Sequence, residues 1–212
     1  MFTGIIKEIG AIKAVQKKGE GKLIQVEAPK SALSLEKGGS ISINGACQSV
    51  ISLGRDWFEV QATSETVTRT NFRLLQPSDR VNLELPLTMK APLGGHLVSG
   101  HIDDTGKISS MKPGGDSTIM KVAYKPEYNK YLVEKGSVAV DGISLTVFEI
   151  SSDTFSVSLI PETIEQTNLK FRLVGDAVNL EFDLIGKYIE KLMNKNKGEL
   201  TMNYLIKHGF AR

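Results

Sequence analysis

Short runs in which apolar and polar residues alternate dominate the chain. Leu23-Ile24-Gln25-Val26-Glu27, Ser40-Ile41-Ser42-Ile43, Trp57-Phe58-Glu59-Val60-Gln61 and Val81-Asn82-Leu83-Glu84-Leu85 each predict a strand with one buried face. The second half offers Ile119 to Tyr124, Ser137 to Val140, Leu145 to Phe148, Phe155 to Leu159 and the run 178–183. Turn residues separate these runs at near-regular intervals, among them Gly38-Gly39, Asn44-Gly45, Pro113-Gly114-Gly115 and Asp141-Gly142. Many short strands punctuated in this way predict an all-β barrel, since closure removes exposed strand edges. Brief helical turns are expected near 30–37 and 126–135.

The pattern changes after residue 183. Leu184, Ile185, Tyr188, Ile189, Leu192 and Met193 form an amphipathic helical stripe. Gly198 is expected to break it, with Leu200, Tyr204 and Leu205 extending a second helical piece. The stripe can bury itself on its own barrel or in a subunit contact. The second is favoured, and an oligomer is expected.

The strand pattern occurs twice. Asn44-Gly45-Ala46-Cys47-Gln48-Ser49-Val50 is echoed 97 residues later by Asp141-Gly142-Ile143-Ser144-Leu145-Thr146-Val147. The same shift superposes Glu65-Thr66 and Thr70-Asn71 on Glu162-Thr163 and Thr167-Asn168, and Val81 to Glu84 on Val178 to Glu181. A unit of roughly 90 residues is too long for a solenoid repeat and reads as a duplicated domain. The expected division is a first barrel over 1–96, a second over 97–186 and a C-terminal helical segment, 187–212, for oligomerisation.

Composition narrows the class. The 26 Lys and Arg against 24 Asp and Glu argue against a nucleic-acid sleeve or a polybasic membrane patch. The single Cys47 excludes an internal disulfide and fits a reducing compartment. No stretch approaches the roughly 18 apolar residues of a membrane span, and the first residues do not resemble a signal peptide. A soluble cytoplasmic protein is expected.

Candidate chemistry sits on the echoes. Asn-Gly and Asp-Gly form tight turns, which by itself accounts for Asn44-Gly45 and Asp141-Gly142. What the turn does not account for is the polar pair that follows. Cys47 and Ser49, or Ser144 and Thr146, are two apart on a strand and so share a face, as a polar planar ligand would need. The echoed Glu65-Thr66 and Glu162-Thr163 can cap helical turns or contribute to the same ligand face. His96 and His101, five apart, lack the frame of a metal site. Gly142-Ile143-Ser144-Leu145-Thr146 is not a nucleophile elbow. The copies also differ in kind, with Cys47 opposite Ser144, Ile5 opposite His101 and Pro86 opposite Asp183. Two similar domains with unlike side chains suit two copies of one ligand held in unlike roles.

These residues resemble the riboflavin synthase family of alpha type. The resemblance runs from Met1-Phe2-Thr3-Gly4-Ile5 to about Leu192 and rests on that start, Gly94-Gly95-His96 with Ser99-Gly100-His101, Asp141 to Val147, and Leu159-Ile160-Pro161-Glu162-Thr163. It implies two similar six-stranded Greek-key β-barrels plus a C-terminal α-helix, assembled as a homotrimer. It also implies a transferase that dismutates two 6,7-dimethyl-8-ribityllumazine molecules into riboflavin and 5-amino-6-ribitylamino-uracil. No cofactor or metal is implied, and an association with lumazine synthase is. By the resemblance, a first pocket uses Gly4, Ile5, Ile6, Cys47, Gln48, Ser49, Gln61, Ala62, Thr63, Ser64, Glu65 and Thr66. A second uses Gly100, His101, Ile102, Lys135, Ser144, Leu145, Thr146, Ile160, Pro161, Glu162, Thr163, Ile164 and Glu165. Ser144, Thr146, Cys47, His101, Lys135, Asp183 and Phe2 are the implied catalytic set.

The chain departs from the family pattern at Gln48 and Ser49, where Leu and Thr are usual, and at Pro86, where a basic residue is usual. Gln48 is expected to point away from the Cys47–Ser49 face. A competing class, similar in fold, is the non-catalytic lumazine- or flavin-binding antenna protein. A ligand-free structural barrel leaves the duplicated polar faces unexplained.

Overall fold

The computed structural model describes residues 1–90 and 92–195. Twelve strands form two closed antiparallel barrels, β1 (Glu8–Lys18), β2 (Gly21–Glu27), β3 (Ser40–Ile43), β4 (Ala46–Leu53), β5 (Trp57–Ala62) and β6 (Arg80–Glu84), then β7 (Asp104–Gly114), β8 (Ser117–Ala123), β9 (Ser137–Val140), β10 (Ile143–Phe148), β11 (Thr154–Leu159) and β12 (Ala177–Phe182). The first closes in the order β1-β2-β5-β4-β3-β6, and the second repeats that Greek-key order with its own six strands. Helix α1 (Ser64–Arg69) follows β5, α2 (Pro161–Glu165) follows β11, and α3 (Leu184–Lys195) follows β12.

Each barrel is filled from the alternating positions. Ile24, Val26, Ile41, Ile43, Phe58, Val60 and Leu83 fill the first, and Met120, Val122, Val138, Val140, Phe155, Val157 and Leu180 the second. The short helical turns lie at Ser31–Ser34 and Pro126–Tyr131, within the stretches where turns are expected. Strands β1 and β7 are not marked by alternation. Each carries a register shift at the equivalent place, between Ile12 and Ala14 and between Ile108 and Ser110. A bulge inserts a residue and breaks the period of two.

The barrels pack through polar groups arranged about a pseudo-two-fold axis. Asn44 and Asp141 have φ of 45°, followed by Gly45 and Gly142 at 82° and 79°, the geometry of a type I′ turn. The two turns stack back to back: a Cβ on Gly142 would lie 2.6 Å from Gly45 N, and one on Gly45 2.8 Å from Gly142 N. Around them the exchange is reciprocal. Asn82 Nδ2 donates to the Asp141 carbonyl and Asn179 Nδ2 to the Asn44 carbonyl. Asn71 N–H donates to Asn179 Oδ1, and Asn168 N–H to Asn82 Oδ1. Asp141, fully buried, also accepts from Arg172 at 2.8 Å. For these echoed residues the turn-and-cap reading holds: they join the barrels, and Thr70 and Thr167 cap the helical turns beside them.

Helix α3 is tied to the second barrel by Lys187–Asp103 at 2.5 Å and Lys130–Glu190 at 2.9 Å. Its apolar stripe is not covered by that barrel. Ile185, Tyr188, Ile189, Leu192 and Met193 are each more than half exposed in the single chain. The expected break at Gly198 and the piece containing Leu200, Tyr204 and Leu205 lie outside the described residues.

Candidate functional site

Strand β4 turns the Cys47 side chain outward and the Gln48 side chain inward, as period two requires. Gln48 is buried, its Nε2 donates back to the Cys47 carbonyl at 2.6 Å, and it still contributes to the lining of the cleft beside Cys47. Beside Cys47 lies a cleft of about 210 Å³ lined by Glu65, Thr66 and Arg69 of α1 and by Gly100, His101 and Ile102. Clefts of about 430 and 510 Å³ lie over the inter-barrel seam and beside β1. The smaller cleft stands out by its chemistry, because a thiol, an imidazole and a carboxylate line it together.

The grouping differs from the expected one. Gly100 to Ile102, assigned by resemblance to the second pocket, lie against Cys47 of the first barrel, and Cys47 N–H donates to the Gly100 carbonyl at 2.8 Å. Gly4, assigned to the first pocket, lies against Ser144 of the second barrel, and Ser144 N–H donates to the Gly4 carbonyl at 2.8 Å. Each barrel's leading segment crosses over. The reason is steric as well as polar: Gly4 and Gly100 have φ of 77° and 86°, and a Cβ on either would sit 2.6 Å from the Cβ of Ser144 or Cys47. Only glycine allows so close an approach at positive φ.

On the second barrel Ser144 is half-buried, and its Oγ lies 2.7 Å from His96 Nδ1. Gly95 makes room for this pair, since a Cβ there would lie 2.9 Å from Ser144 Oγ. Burial holds the His96 imidazole below its ordinary pKa, with the Asp183 carboxylate pulling the other way. His96 is therefore neutral at neutral pH, and in the tautomer protonated on Nε2 its Nδ1 accepts the Ser144 proton. Asp183 precedes α3 and accepts from Ile185 N–H at 2.9 Å. The spacing of His96 and His101 could not reveal this pairing, because Ser144 is 48 residues from His96 in the chain. The two imidazoles lie against opposite barrels, His101 in the cleft beside Cys47 and His96 on Ser144, and among the described residues no three metal-ligating side chains cluster.

The remaining candidates fall in several places. Ser49 and Thr146 are exposed one period along from Cys47 and Ser144. Glu65 lies one turn from Arg69 and pairs with it, and Thr63 caps α1 through Thr66 N–H. Gln61 and Ser64 are exposed at the same end, and Gln61 accepts from Lys18 at 3.0 Å. In the second copy, Ile160, Pro161, Glu162 and Glu165 are exposed, and Thr163 and Ile164 partly so, along α2. Ile5 is exposed and Ile6 half-buried against the second barrel's core. Lys135 is exposed in the turn before β9, with φ of 65° and its N–H on the Val147 carbonyl. Two expected ligand contacts point the other way: Ala62 and Leu145 are buried within the barrel cores, because strand alternation turns them inward. Phe2 is fully enclosed, bridged to Val98 and packed beneath Gly100 and Cys47, so it supports the site from below.

Comparison with known proteins agrees with this architecture. The lumazine binding domain matches twice, over residues 3–86 and 99–183. Riboflavin synthase of Actinobacillus pleuropneumoniae is 40% identical over 99% of this chain and 100% of that protein. Riboflavin synthase of Bacillus subtilis is 36% identical with the same coverage. Solved structures of LumP with 6,7-dimethyl-8-(1'-D-ribityl) lumazine and with riboflavin superpose with TM-scores of 0.78 and 0.80, each covering 86% of this chain and 99% of that one. At 23% and 24% identity these two show the fold. The duplicated domain and the full-length likeness together place this chain in the riboflavin synthase family of lumazine-binding enzymes.

Proposed function

We propose that the chain catalyses the dismutation of two 6,7-dimethyl-8-ribityllumazine molecules, moving a four-carbon unit from one to the other. The products are riboflavin and 5-amino-6-ribitylamino-uracil. The atoms balance without an oxidant or reductant, so the chemistry asks only for proton transfers and a nucleophile. The observation that carries the reading is that the equivalent strands of the two barrels present unlike groups: Cys47 beside His101 in a cleft on the first, Ser144 beside His96 on the second. Identical pockets would hold two lumazines alike; unlike ones can hold a donor and an acceptor.

The lumazine 7-methyl proton is acidic because its carbanion delocalises into the ring. A neutral imidazole is a sufficient base, and His96 acting on or through Ser144 supplies one. Cys47 or a water held by Ser144 supplies the nucleophile that frees the donor ring, with Thr146 and Lys135 orienting the rings. Holding the two rings face to face contributes at most roughly 7–11 kcal/mol. The exposed stripe of α3 supports a subunit contact; the assembly in this reading is a homotrimer in which the first barrel of one subunit meets the second barrel of another. An association with lumazine synthase and a cytoplasmic location complete the reading.

Product stoichiometry tests it. Purified protein supplied with the lumazine alone is expected to release riboflavin and the uracil product in equal amounts for every two lumazines consumed. Riboflavin without the uracil, or dependence on an added cofactor, would contradict the dismutation.

A further inference from the structure

Two buried glutamates hold the crossing segments, and neither belongs to the pocket it influences. Glu84, on β6 of the first barrel, is 3% exposed. Its Oε1 accepts from Thr3 N–H at 2.7 Å and Thr3 Oγ1–H at 2.6 Å, and its Oε2 from Gly4 N–H at 3.0 Å. Glu181, on β12 of the second barrel, is 2% exposed and repeats the pattern. Its Oε1 accepts from Ser99 N–H at 2.6 Å and Ser99 Oγ–H at 2.7 Å, and its Oε2 from Gly100 N–H at 3.0 Å. Each segment then passes to the opposite barrel, where the Gly4 carbonyl takes the Ser144 N–H and the Gly100 carbonyl takes the Cys47 N–H.

A buried carboxylate is costly unless its oxygens are satisfied. Desolvation pushes both carboxyls above the ordinary glutamate pKa even with these donors in place. An apolar side chain in either place would leave two buried backbone N–H groups unpaired; the carboxylate forms a fork that fixes two consecutive backbone amides in one orientation. That orientation decides where the Gly4 and Gly100 carbonyls point, and so where Ile5 and His101 stand.

We propose that Glu84 and Glu181 are positioning residues acting in trans: Glu181 of the second barrel sets the Cys47 pocket of the first, and Glu84 of the first sets the Ser144 pocket of the second. The consequence for turnover rests on the two-pocket reading above; the geometric claim does not. Each barrel would then need the other to complete its own pocket.

Cys47 is the sole cysteine and gives a local probe. In the full-length protein, the rate of thiol modification by 5,5′-dithiobis(2-nitrobenzoate) is expected to rise about tenfold or more in Glu181→Gln, where charge-assisted hydrogen bonds are lost. Glu84→Gln is expected to leave that rate within about twofold, since it anchors the other segment. Ser99→Ala, which removes the hydroxyl donor to Glu181 and with it the acceptor of the His101 N–H, should move the rate in the same direction by less; it tests the anchored segment if Glu181→Gln does not fold. Equal acceleration by Glu84→Gln and Glu181→Gln would show general loosening and overturn the proposal. So would an unchanged rate in both folded Glu181→Gln and Ser99→Ala. The probe needs no lumazine, so its outcome is separate from that of the activity assay.

Discussion

Ser144 Oγ lies 2.7 Å from His96 Nδ1, across a gap of 48 residues in the chain. Burial keeps the imidazole neutral, and Asp183 partly offsets that effect. If neutral His96 is the base, activity needs it deprotonated. The acid limb of the kcat/KM profile is therefore expected below the ordinary histidine value. Asp183→Asn removes a carboxylate that raises the pKa, so the limb should move lower still. His96→Gln should reduce kcat by about a hundredfold or more, the usual scale for a general base. An acid limb unmoved by Asp183→Asn would separate His96 from the rate-limiting proton transfer.

The back-to-back turns predict an unequal cost for two alanine substitutions. Gly38 and Gly142 both have positive φ, at 86° and 79°, but a Cβ on Gly38 meets nothing within 4 Å, whereas one on Gly142 strikes Gly45. Gly38→Ala should cost about 1 kcal/mol for the backbone alone. Gly142→Ala should cost on the order of 3 kcal/mol, with strain and overpacking combined. Urea denaturation of the two variants measures the difference, and equal costs would mean that the barrels can separate at this point.

Asp141 predicts a second stability effect. Its Oδ1 accepts from Asn71 Nδ2 and Asn179 N–H, and its Oδ2 from Asn168 Nδ2 and Arg172. Asp141→Asn points an amide donor at donors already there and leaves the Arg172 charge without its partner. A loss of about 3–5 kcal/mol is expected, read by the same denaturation.

The fold was largely legible and the site only in part. Runs such as Leu23 to Glu27 and Phe155 to Leu159 announced strands because one face is core and the other solvent. Strands β1 and β7 were silent because their bulges, at Ile12–Ala14 and Ile108–Ser110, shift the inward face midway. The repeat aligned Gly4 with Gly100, yet an alignment of copies does not say which barrel a segment covers. That is why the crossing of Gly4 to Ser144 and of Gly100 to Cys47 had to be seen in three dimensions. The polar echo of Asn44 and Asp141 turned out to be inter-barrel contact, since a buried amide cluster and a ligand face call for the same residue types.

Helix α3 predicts an assembly effect. Ile189 and Leu192 are 52% and 62% exposed on the single chain. If the stripe forms the subunit contact, Ile189→Glu should shift the sedimenting species from trimer to monomer and lower activity with it. The barrels should stay folded by circular dichroism, because the substitution faces away from their cores. A trimer that survives Ile189→Glu and Leu192→Glu together would place the contact elsewhere.

The central claim is that two unlike pockets turn over two identical lumazines. Its most direct test is to mix the purified protein with 6,7-dimethyl-8-ribityllumazine, without additives, and follow riboflavin absorbance in the natural chain and in Ser144→Ala. Steady formation of riboflavin by the natural chain, reduced by about a hundredfold or more in Ser144→Ala, is the predicted result. Tight lumazine binding with no riboflavin formed would contradict the account and identify a binding protein, with Gln48 and Pro86 the first residues to revert.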